Sequence, residues 1–343
     1  MLAQDSKLKE VSEVTYLGTI ITSDGSNDKD IQERWNKGMG IISSVMSLID
    51  HISLGSHYFR IGLLFRETNV INGIMTCVEV LHGLTKTQIE KLKNVDEIYL
   101  RKLLGAHSKT PIEALYIETG KIPIHIIIKM RRLMYWWHLV NTKEDSMLHK
   151  FYNAQKLNPV KGDWVNDLDK DKIEFEIEYD DEEFKGMFKT KNTFKRFLRK
   201  KGTQIAEKYL KQLKAKHSKL DNVELEKLNC APYLHDTRLS HKEVRLLFKL
   251  RTRMYQVKSN FKNQYNFNLS CVLCRSAVCD QQHLLSCKVI QSLVPEAKTT
   301  KVKYQHLFGS IDQMVPAAKL FMKITQQREE LLQILENKNR GGQ

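Results

Sequence analysis

The chain has 343 residues, enough for two or three small domains, and its 41% hydrophobic content can form buried cores. This composition excludes a largely disordered protein. The formal net charge of +15 at pH 7 exceeds what solubility requires, and it favours a polyanion as partner over an acidic small molecule. The N-terminus is polar and the apolar stretch around 124–139 is interrupted by charges, so the sequence predicts neither a signal peptide nor a membrane span.

The positive charge is concentrated in one segment of the chain. Residues 188–270 contain 21 Lys and Arg against 6 Asp and Glu, whereas residues 151–187 contain 5 against 11. The first 150 residues are nearly balanced, with 19 against 17. Contacts with a polyanion are therefore expected mainly in 188–270.

Hydrophobic periodicity predicts a mainly α fold that begins with a β-hairpin fragment. The β-branched run 14–21 predicts a strand, and Ser23-Asp24-Gly25 predicts a tight turn after it. The acidic residues 156–187 predict either a small strand or a linker. Helices are predicted over 28–47, 57–80, 87–104, 111–119, 123–141 and, as one or two closing helices, 310–336, with a frayed tail at 337–343.

Two basic helices are predicted after residue 188. In the first, apolar residues recur from Phe194 to Leu213 with an interruption at Gly202. In the second, an apolar stripe runs from Val244 to Val257, and a basic stripe of four residues, Lys242, Arg245, Lys249 and Arg253, lies opposite it. A basic helix face is usually only solvated, but the regional charge excess favours nucleic-acid phosphates as its partner. The predicted contact residues are Lys195, Arg196, Arg199, Lys200, Arg238, Lys242, Arg245, Lys249 and Arg253.

Cys271, Cys274, His283 and Cys287 form a Cys-x2-Cys-x8-His-x3-Cys cluster, whose spacing predicts a structural Zn²⁺ site. Cys279 leaves a rival ligand set open, in which it joins the first two cysteines together with either His283 or Cys287. Clustered cysteines are unlike a secreted disulfide framework, so a reducing, intracellular location is expected, in the cytoplasm or the nucleus or both.

Tryptophans in the helix predicted over 123–141 raise the question of base stacking. Leu133, Trp136, Trp137 and Val140 share one helix face, and this spacing favours packing in a core over stacking on bases.

Several short motifs occur in order along residues 14–141 and 235–290. In this order and spacing, the chain resembles the C-terminal region, thumb plus CCHC zinc-binding segment, of the reverse transcriptase of non-LTR (LINE-type) retrotransposons. The motifs ahead of the Cys and His cluster are Tyr16-Leu17-Gly18, Tyr99-Leu100-Arg101-Lys102-Leu103-Leu104-Gly105, Thr110-Pro111-Ile112-Glu113-Ala114-Leu115, Glu118-Thr119-Gly120 and Arg131-Arg132-Leu133-Met134-Tyr135-Trp136-Trp137-His138-Leu139.

The resemblance and the composition together predict a division of the chain into five segments. The resemblance implies that the first is a hairpin followed by a helical, thumb-like bundle. The segments are 1–150, the hairpin and thumb-like region; 151–187, an acidic linker; 188–265, a basic helical segment; 266–292, the CCHC zinc-binding segment; and 293–343, C-terminal helices and tail.

The resemblance implies a nucleic-acid-binding remnant that grips template–primer or target DNA or RNA. In that family the metal-binding Tyr/Phe-x-Asp-Asp turn lies upstream of the Tyr-Leu-Gly hairpin, so this chain is expected to lack its own polymerase active site, and no catalytic residue is predicted. Tyr179-Asp180-Asp181 is one residue short and lies in the acidic segment. Mg²⁺ is expected only with a polymerase half elsewhere.

Two alternative functions remain open from the sequence. In one, the chain is the C-terminal half of an active RNA-directed DNA polymerase divided by a truncated gene model. In the other, it is a zinc-stabilised helical module that binds another protein, and its charge serves solubility.

Overall fold

A computed structural model describes residues 10–51, 55–266 and 268–340, apart from the side chains of Ser56 and 338–340. The predicted absence of a signal peptide concerns the N-terminal residues 1–9, which lie outside these ranges, as does 341–343 of the predicted tail. The described chain is mainly helical, with a small antiparallel hairpin near its N-terminus, which confirms the predicted fold class. None of the helices in the described ranges has the length and low polarity needed to cross a membrane.

The run predicted as one strand is divided into two. Strand β1 (Glu13–Tyr16) pairs antiparallel with β2 (Thr19–Thr22), so the chain reverses at Leu17-Gly18. Both turn residues have positive φ, 48° and 82°, which matches the right-handed twist of a two-residue hairpin. The predicted turn after the run also forms, because Gly25 N donates to Thr22 O.

Up to residue 141 the chain forms helices close to those predicted, with one exception. The single helix predicted over 57–80 is interrupted by a π-helical turn, Arg66–Ile71, and ends in a 3-10 turn, Val78–Val80. The helices are α1 (Asp28–His51), α2 (Tyr58–Phe65), α3 (Asn72–Ile74), α4 (Lys86–Leu104), α5 (Ile112–Thr119), α6 (Ile124–Val140), α7 (Met147–Leu157), α8 (Trp164–Glu174) and α9 (Asp181–Met187).

The interpretation of 156–187 as a small strand or linker is wrong, because this segment contributes to three helices. Asp163 and Asp180 cap α8 and α9, each accepting backbone N–H groups of the first turn. Trp164, Leu168 and Phe184 are buried. The acidic residues that suggested a linker thus belong to helices that pack in unit 1.

The second half contains two longer helices and several short ones. The first basic helix is continuous through Gly202, and the second ends at Arg251 rather than near Val257. The last helix extends beyond the predicted end at 336. These elements are α10 (Lys191–Lys214), α11 (His241–Arg251), α12 (His283–Ser286), α13 (Lys288–Leu293), α14 (Glu296–Thr299) and α15 (Ile311–Arg340).

The described chain divides into two compact units, each assembled from separate stretches of sequence. Unit 1 comprises the described parts of Met1–Val45, with Phe65–Tyr99 and Ile122–Ala206; unit 2 comprises the described parts of Met46–Leu64, Leu100–Lys121 and Glu207–Gln343.

Unit 1 contains an aromatic core and buried ion pairs. Trp136 is fully buried, and its ring lies 3.9 Å from that of Phe184, centroid to centroid, which confirms the predicted core role. Arg66 donates two hydrogen bonds of 2.6 Å to Asp96, and Arg132 donates one of 2.6 Å to Asp171. Each buried guanidinium is therefore matched by a carboxylate, which reduces the cost of its desolvation.

Unit 2 is held together by Arg251 of α11. Its Nε donates to Glu118 Oε1 of α5 at 2.9 Å, and its Nη1 donates to the carbonyl of Leu307 at 2.7 Å. Glu118 O in turn accepts the backbone N–H of Ala231 at 2.8 Å. One buried side chain thereby connects segments that are far apart in sequence.

We expect Gly120→Ala to lower the free energy of unfolding by about 3 kcal/mol. Gly120 ends α5 with φ of 64°, and a Cβ there would overlap the backbone of Asn229 and Cys230. Gly25→Ala is the matched control, because Gly25 has φ of 70° but open space around it, so only about 1 kcal/mol is expected. Urea unfolding of both variants measures the difference, and equal losses would contradict the packing explanation.

Acid is expected to destabilise unit 1 through His125. Burial, with the charges of Lys93 and Lys129, lowers the pKa of this imidazole from 6.5 to about 4. Between these two pH values the unfolded chain binds a proton that the folded chain does not, so stability falls as pH falls from 6.5 to 4, by on the order of 2–3 kcal/mol. Urea unfolding across this range should give a shallower pH dependence for His125→Gln, and an unchanged slope would contradict this assignment.

Candidate metal centre and basic surfaces

Cys271 and Cys274 lie in a tight loop closed by backbone hydrogen bonds. Cys271 N donates to Ala277 O at 2.8 Å, and Arg275 N donates to Cys271 O at 2.9 Å. The loop reverses at Arg275, whose φ of 54° is positive. A bridge between Ser270 and Val278 closes its base, so both thiols project from one short hairpin.

His283 and Cys287 lie one helical turn apart. His283 begins the short helix α12, and Cys287 N donates to His283 O at 2.7 Å directly after it. Asp280 Oδ1 accepts the backbone N–H of His283 at 2.6 Å and fixes the start of this turn. The spacing of three residues therefore places the imidazole and the thiol on the same side.

The four predicted ligands converge. Their ligand atoms all lie within 4.8 Å of one another, and Cys274 Sγ is 3.2 Å from His283 Nε2. In a tetrahedral site with metal–sulfur bonds near 2.3 Å, ligand atoms are separated by roughly 3.5–3.8 Å. Cys271 and Cys287 are buried, whereas Cys274 and His283 are partly exposed. These four side chains can hold a metal ion.

The two thiols of the hairpin have different protonation properties. The Ser276 hydroxyl donates to Cys274 Sγ at 3.2 Å and lowers the pKa of that thiol to about 6. Burial raises the pKa of Cys271 to about 11. Cys274 is thus the thiol most ready to act as a thiolate ligand, while Cys271 ionises when a cation compensates its burial.

Cys279 does not belong to the converging group among the described residues. Its side chain is buried, its backbone N donates to Leu269 O at 2.7 Å and its carbonyl accepts from Ser259 N at 3.0 Å. Through these backbone bonds, Cys279 stabilises the hairpin. The geometry therefore favours the set with both His283 and Cys287 over the rival set.

Four of the predicted nucleic-acid contacts lie together on α10. Lys195, Arg196, Arg199 and Lys200 are exposed, and in the described part of the chain none of them forms an ion pair or a side-chain hydrogen bond. Phe194, at the same end of the helix, is fully buried. Because these cations stand at adjacent and i,i+4 positions, they form one continuous surface.

Two other predicted contacts are engaged inside unit 2. Arg245 lies at the C-terminal end of α4, where it donates to the carbonyls of Leu103 and Lys102 and to the Tyr58 hydroxyl. Arg238 bridges Asp236 and Asp312. A cation at a helix C-terminus stabilises the helix dipole, so Arg245 has a structural function.

The remaining predicted contacts are Lys242, Lys249 and Arg253. Lys242 is exposed and Lys249 is half-buried on α11. Arg253 was predicted to lie on this helix, but α11 ends at Arg251 and Arg253 has a left-handed φ of 51°. The predicted stripe of four basic residues on one helix face is therefore wrong in its last member.

Three residues near the cluster were not predicted from the sequence. Ser276 hydrogen-bonds to the Cys274 thiol, Asp280 accepts the backbone N–H of His283, and Gln281 donates from its buried side chain to Leu250 O at 2.9 Å. Only Asp280 has a recognisable signal, because an Asp side chain often accepts the backbone N–H of the third residue after it. The contacts of Ser276 and Gln281 have no recognisable sequence signal, because they form only in the folded chain.

The two carboxylates of Tyr179-Asp180-Asp181 have structural roles. Asp180 caps α9, and Asp181 accepts hydrogen bonds from Trp136, Tyr152 and Lys156. The first thus starts a helix, and the second is committed to the packing of unit 1.

Comparison with known proteins identifies no relative. No protein-family model, no curated protein and no solved structure matches this chain. The resemblance to non-LTR reverse transcriptases therefore remains a prediction from motif order, and function is inferred from side chains and their geometry.

We expect the protein purified without chelators to contain about one metal ion per chain, because four converging ligands complete one tetrahedral site. Cys287→Ala should abolish stoichiometric metal and lower the melting temperature, and Cys279→Ala is the matched control, a buried cysteine of the same segment outside the ligand set. Elemental analysis and thermal unfolding measure both. Loss of metal in the Cys279 variant, with retention in the Cys287 variant, would establish the rival ligand set.

Proposed function

We propose that this protein binds nucleic acid through the exposed basic face of α10, as the resemblance to the thumb and zinc-binding region of non-LTR reverse transcriptases implies. The observation that carries this proposal is the surface formed by Lys195, Arg196, Arg199 and Lys200. Residues 191–200 contain five basic residues and no acidic one. At a rise of 1.5 Å per residue, the stretch from Lys191 to Lys200 that carries these five residues extends over roughly 13 Å of helix.

The basic face has an energetic cost in the free protein. Like charges at i and i+4 destabilise a helix by a few tenths of a kcal/mol per pair, and here Lys191, Lys195 and Arg199 follow this spacing. Lys201, the next basic residue, is paired with Glu176 and stands apart from the face. A phosphate backbone relieves the repulsion and releases its own counterions, which gives binding a favourable and salt-dependent free energy.

We further propose that the ion of the cysteine cluster is zinc. Three thiolates and one imidazole suit zinc, and four protein ligands leave no position for a substrate or a reactive water. The metal then has a structural role, as a cross-link between the hairpin at Cys271 and the turn at Cys287. The elemental analysis of the cysteine variants also identifies the ion.

The proposed activity is binding, and polymerase chemistry belongs to a separate set of residues. In the family that the chain resembles, that chemistry requires carboxylates on an Asp-Asp turn outside the matched motifs. The grip would act on a template–primer duplex or on a target strand.

Replacing all four cations of the α10 face by Gln should weaken nucleic-acid binding at least about tenfold at 0.1 M salt. The slope of log K against log salt concentration should become less negative by about three to four, because each cation neutralises about one phosphate. Fluorescence anisotropy with duplex and single-stranded probes over a salt series measures both quantities.

The matched control makes the same change of charge at four scattered, exposed lysines of unit 1, Lys37, Lys86, Lys143 and Lys161. Its slope should change by less than about one. If both quadruple variants bind like the wild type, or if wild-type affinity is indifferent to salt, the proposal is wrong, and the protein-interaction alternative gains support.

A further inference from the structure

Unit 2 contains a cleft that the proposed function does not use. Its volume is about 620 Å³, within the range of pockets that hold small ligands. Residues 259–264 form one part of its lining, and 280–282, directly before the candidate ligand His283, form another. Lys109, Lys219 and Tyr304 complete it from three other parts of unit 2.

The lining has an excess of positive charge. It includes Lys109, Lys219, Arg253 and Lys262 against one carboxylate, that of Asp280. Asp280 already accepts the backbone N–H of His283, while none of the four cations forms an ion pair with any residue that the structure describes. Burial and the nearby charge of Lys109 lower the pKa of Lys219, as expected where cations are grouped without a compensating anion.

Two of the cations are held in place. Lys219 Nζ donates to Asn260 O at 3.0 Å and lies 5.4 Å from the centroid of the Phe261 ring. Arg253 has a left-handed φ of 51°, and its positive charge acts against the burial that raises the pKa of Tyr304. Such a backbone conformation costs a non-glycine residue about 1 kcal/mol or more and often occurs where a side chain must be aimed at a ligand.

The floor of the cleft is rigid. Asn260 Nδ2 donates to Tyr255 O at 2.7 Å and to Gln281 Oε1 at 3.3 Å. Gln281, which is buried, donates in turn to Leu250 O at 2.9 Å. The cations thus surround a fixed polar surface, a geometry that favours binding without reorganisation.

The mixture of groups indicates the class of ligand. Four cations suit phosphate, the exposed amides of Asn263, Gln264 and Gln282 can hydrogen-bond to base edges, and Tyr304 offers an aromatic ring. A cavity of this size admits an unpaired nucleotide but not a base-paired helix. The polar lining does not suit an apolar ligand.

We propose that this cleft binds an unpaired nucleotide of a single-stranded nucleic acid, with its phosphate among Lys109, Lys219, Arg253 and Lys262. The inference rests on the proposed function, because it assumes that the chain binds nucleic acid, and it assigns to unit 2 a preference for unpaired strands. Binding by the α10 face needs only phosphates and does not discriminate in this way.

The test measures the affinity of the 343-residue protein for a labelled polypyrimidine single strand and for a labelled blunt duplex. Lys109→Gln combined with Lys262→Gln changes two exposed side chains at the rim, so folding should be unaffected. Affinity for the single strand should fall about tenfold and its salt slope should become less negative by about one to two, with less than about twofold change for the duplex. Lys219→Gln, added to this variant, should deepen the single-strand loss.

The matched control is Lys288→Gln with Lys301→Gln, two exposed lysines of unit 2 outside the cleft, and it should bind both probes like the wild type. Salt-dependent wild-type binding with no loss in the rim variant would overturn this inference and leave the proposed function intact. Equal losses for single strand and duplex would also overturn it, since the rim would then be general basic surface. A wild-type chain without salt-dependent binding refutes both proposals.

Competition separates two sources of the same phosphate chemistry. Unlabelled single strand should displace the probe, whereas thymidine monophosphate should do so only at much higher concentration and inorganic phosphate not at all. If the mononucleotide competes as strongly as the strand and loses this effect in the rim variant, the cleft is a site for free nucleotides and the inference of strand binding is wrong.

Discussion

The buried ion pair between Arg251 and Glu118 is the interaction on which unit 2 depends. Both side chains are almost fully removed from solvent, so loss of either partner would leave an uncompensated charge, at a cost of about 3–5 kcal/mol. The same guanidinium holds the carbonyl of Leu307, and the backbone of Glu118 holds Ala231. Since α5 is short, these contacts from Arg251 and Ala231 fix its position against segments more than a hundred residues away.

The segment that carries the Cys and His cluster is attached to this framework through the end of α11 and the residues after it. Gln281 donates to Leu250 O, one residue before Arg251, and Ser259 N donates to the carbonyl of Cys279. Between these attachments, the hairpin that carries Cys271 and Cys274 exposes Val272 and Val278 and has little apolar area to bury. A metal ion held by the four side chains would supply the cross-link that a hydrophobic core would otherwise provide. The cluster is thus best understood as a brace for the loop that borders the basic cleft.

The sequence predicted the features that are decided by residues close together in the chain, such as helix ends and ligand spacing. Pro111 and Gly120 bound α5 as expected, and the spacing of Cys271 to Cys287 identified four side chains that converge. The break in the helix predicted over 57–80 falls at Arg66, whose partner Asp96 is 30 residues away. The acidic residues after 156 predicted a small strand or a linker, but Asp171 lies in α8 and is buried against Arg132. Neither pairing has a signal in the local pattern, because each is decided by tertiary contacts.

Tertiary contacts also determine which positive charges are available to a polyanion. Arg34, Arg66, Arg132 and Arg251 are buried, and each pairs with a carboxylate, so these pairs contribute nothing to the net charge or to the field at the surface. Arg238 and Arg245 are occupied on the surface of unit 2 by carboxylates and by helix-terminal carbonyls. The surplus of +15 is therefore carried by other residues, and part of it lies on the face of α10 and around the cleft. Many arginines thus hold the fold together, and lysines supply much of the charge that remains for a partner. This division follows from chemistry, because the planar guanidinium suits buried pairs and the strongly hydrated ammonium does not.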